Sequence, residues 1–303
     1  MKKPRPCRLI ATLPPYVSHR PLVIGHPAVD ALRFNTVSPL AESRRDILAR
    51  LKDECGGKRL WIDLKGRQLR IAKFAYLPLA FVELNHRISV DLPAEIRFRD
   101  CLSTIVKIVD GRKLILDQRP VRIVGEGEPV NILDPSLRIE GYLTDSDSEY
   151  VEAAAGVGLH DFMLSFAESD EDAAEVRRLD PKARLVAKIE SKRGLAWMRD
   201  RPAGVGLMAA RDDLYVNMGE DRTAIMDALR DIAAADRQAM VASRLLESLE
   251  AGPAPSLPDL SDVMLMREMG YRAFMFSDTL CFREGSFRAA AACMAALLEK
   301  KGD

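Results

Sequence analysis

Neither sign of charge is in excess in this 303-residue chain: 45 Lys and Arg stand against 45 Asp and Glu, a net charge of +0 with His neutral. Such a balance lacks the electrostatic footprint that nucleic acid or an acidic bilayer attracts, so no nucleic-acid partner is expected. Long apolar runs are missing too. The opening Met1-Lys2-Lys3-Pro4-Arg5-Pro6 is basic, but no apolar stretch of signal or spanning length follows it. A cytoplasmic protein without a membrane partner is expected. Cysteine is sparse and scattered. Cys7, Cys55, Cys101, Cys281 and Cys293 form no CxxC pair and have no neighbouring His, which excludes a zinc ribbon and leaves reduced packing or surface thiols. The four histidines, His19, His26, His86 and His160, show no HxxxH or HxH spacing, so a histidine metal centre is excluded as well, and each is expected in a surface or loop role.

What the chain does have is a hydrophobic content of 48%, enough for an ordinary core in one large domain with an insertion, or in two domains. Apolar runs of strand length alternate with charged, helix-periodic segments, the pattern of a parallel α/β fold. Eight strands are expected, at Arg8–Leu13, Ala31–Phe34, Leu60–Leu64, Phe162–Phe166, Arg184–Ile189, Gly204–Ala209, Gln238–Ala242 and Ala273–Phe276. Helices are expected between them, among them Glu42–Glu54, Glu171–Leu179, Asp221–Ala235, Arg244–Glu250, Ser261–Met269 and Phe287–Lys300. Leu265, Met266 and Met269 fall at three- and four-residue spacing and read as core. Eight strands with interleaved helices fit a (β/α)8 TIM barrel, whose active site lies at the carboxyl ends of the strands. The rhythm breaks after the third strand. Short alternating runs (Arg87–Leu92, Thr104–Val109, Lys113–Leu116, Pro120–Val124) with turn signals at Asp110-Gly111 and Gly125–Gly127 predict a small β-rich lid domain over 71–130, leaving 1–70 and 131–303 as the barrel.

Two of the strands end in charge. In Val186-Ala187-Lys188-Ile189-Glu190, side chains two apart point the same way, so Lys188 and Glu190 share a face. Met208-Ala209-Ala210-Arg211-Asp212-Asp213 brings a second carboxylate, Asp213, to the end of the next strand. A lysine between two carboxylates suits a divalent ion, which takes hard oxygen ligands, and an anionic substrate beside it. For any one of these residues a strand-end salt bridge is an equally good reading.

Their order along the chain resembles the pyruvate kinase family from about Arg8 to Gly285. Arg8-Leu9-Ile10-Ala11-Thr12-Leu13 is similar to its opening strand, Leu32-Arg33-Phe34-Asn35 to its arginine-x-asparagine motif, and Ile62-Asp63-Leu64-Lys65-Gly66-Arg67-Gln68-Leu69-Arg70 to the run before its lid. Leu143–Asp147 and Leu164-Ser165-Phe166 match the return into the barrel. Ala187–Glu190 and Ala210–Leu214 match its lysine and metal strands, Ala242–Ser248 its alanine-threonine-glutamine segment, and Ser261-Asp262-Val263 its next helix. The resemblance implies magnesium or manganese on Glu190 and Asp213, Lys188 facing the transferred phosphoryl group, and Arg33 and Arg70 on phosphate oxygens. Ser243 stands in for a threonine near the enolate. Asn35, Asp63, Lys65, Ala210, Arg211, Asp212 and Arg244 fall on the substrate side, with the N–H groups of Asp212 and Asp213 receiving the substrate carboxylate. A phosphoryl transition state carries spread negative charge, so cationic clamping is the chemistry that these residue types supply.

Several positions depart from the family. Val37 and Leu64 stand where a serine and a threonine are expected, so the monovalent-cation site is expected to be lost, with Arg67 or Arg244 supplying the missing charge. Asp212 and Tyr215 replace glycines. Phe276-Ser277-Asp278-Thr279 lacks the expected glycine and glutamate, and Arg244 replaces a glutamine, which suits a more anionic substrate such as a dicarboxylate. The chain stops after the expected last barrel helix, so the C-terminal regulatory domain, and sugar-phosphate activation through it, are not expected. The expected function is magnesium-dependent phosphoryl transfer between phosphoenolpyruvate and a nucleotide (ADP or ATP). The alternatives are a metal-dependent lyase or aldolase acting on a keto acid through a pyruvate enolate, and a non-catalytic metabolite-binding homologue. A homo-oligomer through the barrel, using Tyr215 and the apolar last helix, is a further expectation.

Overall fold

The computed structural model describes residues 7–75, 80–98, 101–120 and 125–299. Two compact units divide the chain, one of Met1–Leu64 with Asp147–Asp303 and the other of Lys65–Ser146.

The first unit is a closed barrel of eight parallel strands: β1 (Arg8–Thr12), β2 (Ala31–Asn35), β3 (Arg59–Leu64), β4 (Asp161–Leu164), β5 (Arg184–Ile189), β6 (Val205–Ala210), β7 (Met240–Ala242) and β8 (Ala273–Met275). Each pairs with its sequence neighbours and β8 closes onto β1, with Arg8 opposite Ala273. All eight expected strands are present, several trimmed by one or two residues at an end. Their side chains alternate as a pleated strand requires. One set fills the barrel with Ile10, Trp61, Met163, Val186, Met208, Met240 and Met275, and the other packs outward against the helices.

The helices begin where short side-chain oxygens can take the free N–H groups of a first turn. Ser43 accepts from the N–H of Asp46 at 3.2 Å and opens Arg44–Glu54, while Ser191 accepts from Gly194 at 3.0 Å and opens Lys192–Trp197. Ser256 and Asp259 cap each other reciprocally at the start of Leu257–Met269, which ends on Gly270 at φ 113°. One expected helix is corrected. In place of Arg244–Glu250 there is a single 3-10 turn at Glu247–Glu250, because Ser243, Arg244 and Leu246 hold φ of 71°, 55° and 55°. Left-handed residues cannot propagate a right-handed helix. The expected Asp221–Ala235 begins as a 3-10 turn (Arg222–Ala224) before the α-helix Ile225–Ala235.

The second unit carries a five-stranded antiparallel sheet, in the order Ile71–Ala75, Phe81–Leu84, Lys113–Leu116, Cys101–Val109, Ala94–Phe98. Ile71, Val82, Leu84, Ile96, Phe98, Ile105 and Leu114 form its own core. The turn at Asp110-Gly111 adopts φ of 52° and 70°. The unit spans Lys65–Ser146, wider at both ends than 71–130, because the flanking segments join its pairing: Ile71 N–H donates to Glu128 O at 2.9 Å and Val130 N–H to Leu69 O at 3.0 Å. Of the expected strand Pro120–Val124, residues 121–124 lie outside the described residues.

Candidate active site

At the carboxyl end of the barrel the inward-facing positions turn from apolar to charged. Arg33 on β2, Asp63 on β3, Ser165 just beyond β4 and Lys188 on β5 continue the interior rows, and Glu190 follows β5. All five are buried.

Asp63 is the hub. Its Oδ2 accepts from Arg33 Nε at 2.9 Å and, more closely, from Arg33 Nη2. Its Oδ1 lies 3.4 Å from Lys188 Nζ. Arg33 Nη1 donates to Thr12 Oγ1 at 3.0 Å and to Asp278 Oδ2 at 2.7 Å, and that same Asp278 oxygen accepts from Asn35 Nδ2 at 2.9 Å. A guanidinium held by two carboxylates stays charged. Burial alone would lower the Arg33 pKa, but Asp63 and Asp278 outweigh it and raise it.

Lys188 donates to Ser165 Oγ at 2.8 Å and lies 3.1 Å from Glu190 Oε1. Burial works to deprotonate it, and the charges of Asp63 and Glu190 reverse the balance, so its pKa is raised and the ammonium persists at neutral pH. Glu190 goes the other way. Its Oε2 accepts the Phe166 N–H at 2.7 Å, with Phe166 at φ 50°, whereas Oε1 is buried and accepts no hydrogen bond from any described residue. Burial, reinforced by the negative charges of Asp213 and Asp63 against the pull of Lys188, moves its carboxyl up to about 7.

Asp213 lies in the first turn of the Arg211–Asn217 helix, which starts directly from the end of β6 with Ala210 as its cap, and its charge is felt at both Lys188 and Glu190. The orphaned Glu190 oxygen beside a second carboxylate fits a divalent cation. No group of three or more His, Cys, Asp or Glu side chains able to hold a metal exists among the described residues. To such an ion the chain would offer two carboxylates, Glu190 and Asp213.

The neighbouring loop is braced rather than open. Arg211 forks onto Asp262, with Nη1 2.5 Å from Oδ1 and Nη2 2.9 Å from Oδ2, and donates to the Ser243 carbonyl at 2.6 Å. That clamp holds Ser243 in its left-handed conformation. Arg244, next along, pairs with Asp212 at the surface, so the two departures from the family pattern neutralise each other.

Lys65, Arg67 and Arg70 belong to the second unit. There Arg70 donates to Gln68 Oε1 at 2.6 Å and to the Gly127 carbonyl, and Arg67 stacks 5.2 Å over the Tyr142 ring.

Thr12, Ser165 and Asp278 hold the Arg33 and Lys188 clusters without having been assigned a role from sequence. Strand alternation was the available signal for Ser165, two residues after the inward Met163. Asp278 stands in the Phe276–Thr279 segment that departs from the family, but nothing local points to its contacts with Arg33 and Asn35, which lie 245 and 243 residues away along the chain.

Residues 82–280 match the model of the pyruvate kinase barrel domain. The chain is 26% identical to a pyruvate kinase of Methylorubrum extorquens over 91% of its own length and 65% of that protein's. It is 29% identical to one of Agrobacterium vitis over 52% of the chain and 33% of the relative, and 27% identical to pyruvate kinase II of Salmonella typhimurium over 51% and 34%. It thus spans about two thirds of the first relative and about a third of the other two. Among the described residues no helix is long and apolar enough to cross a membrane.

Proposed function

Because the chain belongs to the pyruvate kinase family, we propose that the charged end of its barrel carries out magnesium-dependent phosphoryl transfer between phosphoenolpyruvate and a nucleoside diphosphate. The observation that carries this reading is the environment of Lys188: a buried, charged ammonium held by Asp63, Ser165 and Glu190 Oε1, an oxygen that accepts no hydrogen bond from any described residue.

Phosphoryl transfer asks little covalent chemistry of a protein and much charge placement. Lys188 supplies a fixed positive charge for the equatorial oxygens of the migrating group, and the same charge steadies the enolate left behind. Asp63 and Glu190 hold its pKa up, which suits a fixed cation. Arg33 is a cation held in place by Asp63, Thr12 and Asp278, which engage four of its five N–H groups, so it would offer a phosphate its fixed charge and one remaining N–H. Glu190 and Asp213 would hold the divalent ion, which when bound neutralises phosphate and carboxylate charge. Glu190 would hold the ion in its ionised form. In this reading the Ser243 hydroxyl would return a proton to the enolate carbon, and its backbone carbonyl accepts from Arg211.

Nothing in the arrangement calls for potassium. Both oxygens of Asp63 already face cationic side chains, Arg33 on one and Lys188 on the other. In this reading Arg33 and Lys188 would supply the positive charge at Asp63 that the family draws from a monovalent cation, and Arg244 would not, since it pairs with Asp212.

The test is formation of pyruvate from phosphoenolpyruvate with magnesium, with and without ADP, and separately from oxaloacetate alone. ADP-dependent pyruvate is the expected result. Pyruvate from oxaloacetate without nucleotide would overturn it in favour of a lyase, and binding without turnover in favour of a non-catalytic role.

A further inference from the structure

The barrel interior has a second polar end. Two residues before Ile10, Trp61 and Val186, and so on the same inward rows, stand Arg8, Arg59 and Arg184, the first residues of β1, β3 and β5. They line a cavity of about 390 Å3 at the amino ends of the strands, opposite the Lys188 cluster. Roughly 300–1,000 Å3 is the range of small-molecule sites.

The charges in this cavity do not cancel. Arg184 forks onto Asp161, with Nε 2.7 Å from Oδ1 and Nη2 2.5 Å from Oδ2, and Arg59 Nε reaches that carboxylate only at 3.5 Å. Asp236, on the cavity wall, spends its oxygens on the backbone N–H groups of Leu207 at 2.9 Å and Gln238 at 2.8 Å. Among the described residues the Arg8 guanidinium has no hydrogen-bond or ion-pair partner. A layer that served only stability would pair each cation, whereas here Arg59 and Arg184 share Asp161, the Arg8 guanidinium has no partner among the described residues, and a fourth arginine of the lining, Arg201, meets only the carbonyls of Met198, Val205 and Ala235. Space is kept open as well. The inward position on β6 is Gly206, where a Cβ would stand 3.4 Å from Val186 Cγ2 and 3.6 Å from Asp236 Oδ2. Arg59 also lies 5.4 Å over the ring of Trp61, placing an indole at the cavity.

We propose that this cavity binds a small organic anion, bearing phosphate or carboxylate groups, between Arg8, Arg59 and Arg184. Guanidinium groups match the planar oxygen pairs of either class, and the volume exceeds what a halide or a lone water needs. The site lies at the opposite end of the barrel from the proposed reaction, so its test does not depend on that reading.

The chain has two tryptophans, and a Trp197→Phe background leaves Trp61 as the only reporter. In metal-free buffer at constant ionic strength, this protein is titrated with inorganic pyrophosphate, with citrate and with sodium chloride as the control. A saturable change in Trp61 emission with pyrophosphate alone assigns phosphate chemistry, and one with citrate alone assigns carboxylate chemistry. Arg8→Gln should weaken the binding by about tenfold or more, and Arg8→Lys should restore part of it. Gly206→Val fills the cavity without touching an ion pair and should abolish the response, which keeps the proposal testable if Arg8→Gln folds poorly. No saturable response to either anion, a response matched by chloride, or binding unchanged in both Arg8→Gln and Gly206→Val would overturn it.

Discussion

Lys188 Nζ lies 3.1 Å from Glu190 Oε1, yet that oxygen accepts no hydrogen bond while its twin takes the Phe166 N–H at 2.7 Å. The contact has the distance of an ion pair without the alignment of a hydrogen bond. A divalent ion would give this oxygen a ligand contact that the ammonium, poorly aligned with it, does not supply.

Magnesium should therefore stabilise the folded chain. Linkage predicts a gain of about 2.7 kcal/mol at a hundredfold excess over Kd. The thermal midpoint measured across a magnesium titration should rise in the wild type and stay flat in Glu190→Gln and in Asp213→Asn. Equal shifts in all three would remove Glu190 and Asp213 as ligands.

Titration of Glu190 adds a second prediction. Its carboxyl moves from 4.5 to about 7 on folding, so between those values the folded state holds a proton that the unfolded state has lost. Stability must then fall as pH rises through that window, by up to about 3 kcal/mol if the group acts alone. Relative to Glu190→Gln, the wild type should lose stability from pH 5 to pH 8 in urea unfolding without metal. Parallel curves for the two proteins would refute the shift.

Removal of Lys188 tests the opposite charge. Lys188→Ala leaves the buried Glu190 without its cation and Asp63 with Arg33 alone, which should cost about 3–5 kcal/mol. Lys188→Arg keeps the charge but not its compact shape, and should fold while losing most turnover. Retention of turnover in Lys188→Arg at the wild-type rate would remove Lys188 from the reaction.

The barrel was legible in the chain because its signals are local. A strand such as Arg184–Ile189 declares itself by alternation, and Glu190 by following Lys188 at the two-residue spacing of one face. The Ser243–Leu246 segment was misread because Leu245, Leu246 and Leu249 have helical spacing, while the force that prevents a helix is a clamp from Arg211 and Asp262, distant in sequence. Asp278 was passed over for the same reason, as its function exists only once β8 has closed onto β1. The second unit's outer segments were assigned to the barrel because backbone pairs such as Ile71 to Glu128 leave no pattern in side chains.

Independence from potassium follows from Asp63. With Arg33 and Lys188 on its two oxygens, exchanging sodium for potassium at constant ionic strength should leave the rate within about twofold, since cationic side chains already neutralise this carboxylate. Asp278→Asn keeps an acceptor for Arg33 but removes one negative charge, so phosphate-bearing substrate should bind the less neutralised arginine more tightly and KM should fall. A several-fold rise in rate with potassium would show that the ion retains a site.

Gly194 joins packing to the same pocket. A Cβ there would stand 2.9 Å from the Ala167 carbonyl oxygen, a backbone atom that cannot swing aside, and the Gly194 N–H is the one capped by Ser191 immediately after Glu190. Gly194→Ala must therefore push apart the helix that follows β5 and the loop that follows β4, the two segments that position Glu190 and the Phe166 N–H. Overpacking of this kind costs about 1–3 kcal/mol, to be read as a lower urea midpoint with unchanged slope. If the displaced loop withdraws the Phe166 N–H, Glu190 loses the donor that stabilises its ionised form. Magnesium binding, which needs that form, should then weaken together with stability, and the loss should shrink as pH is raised above 7. A variant with lowered stability but unchanged magnesium affinity across this pH range would show that the helix and the carboxylate are not coupled.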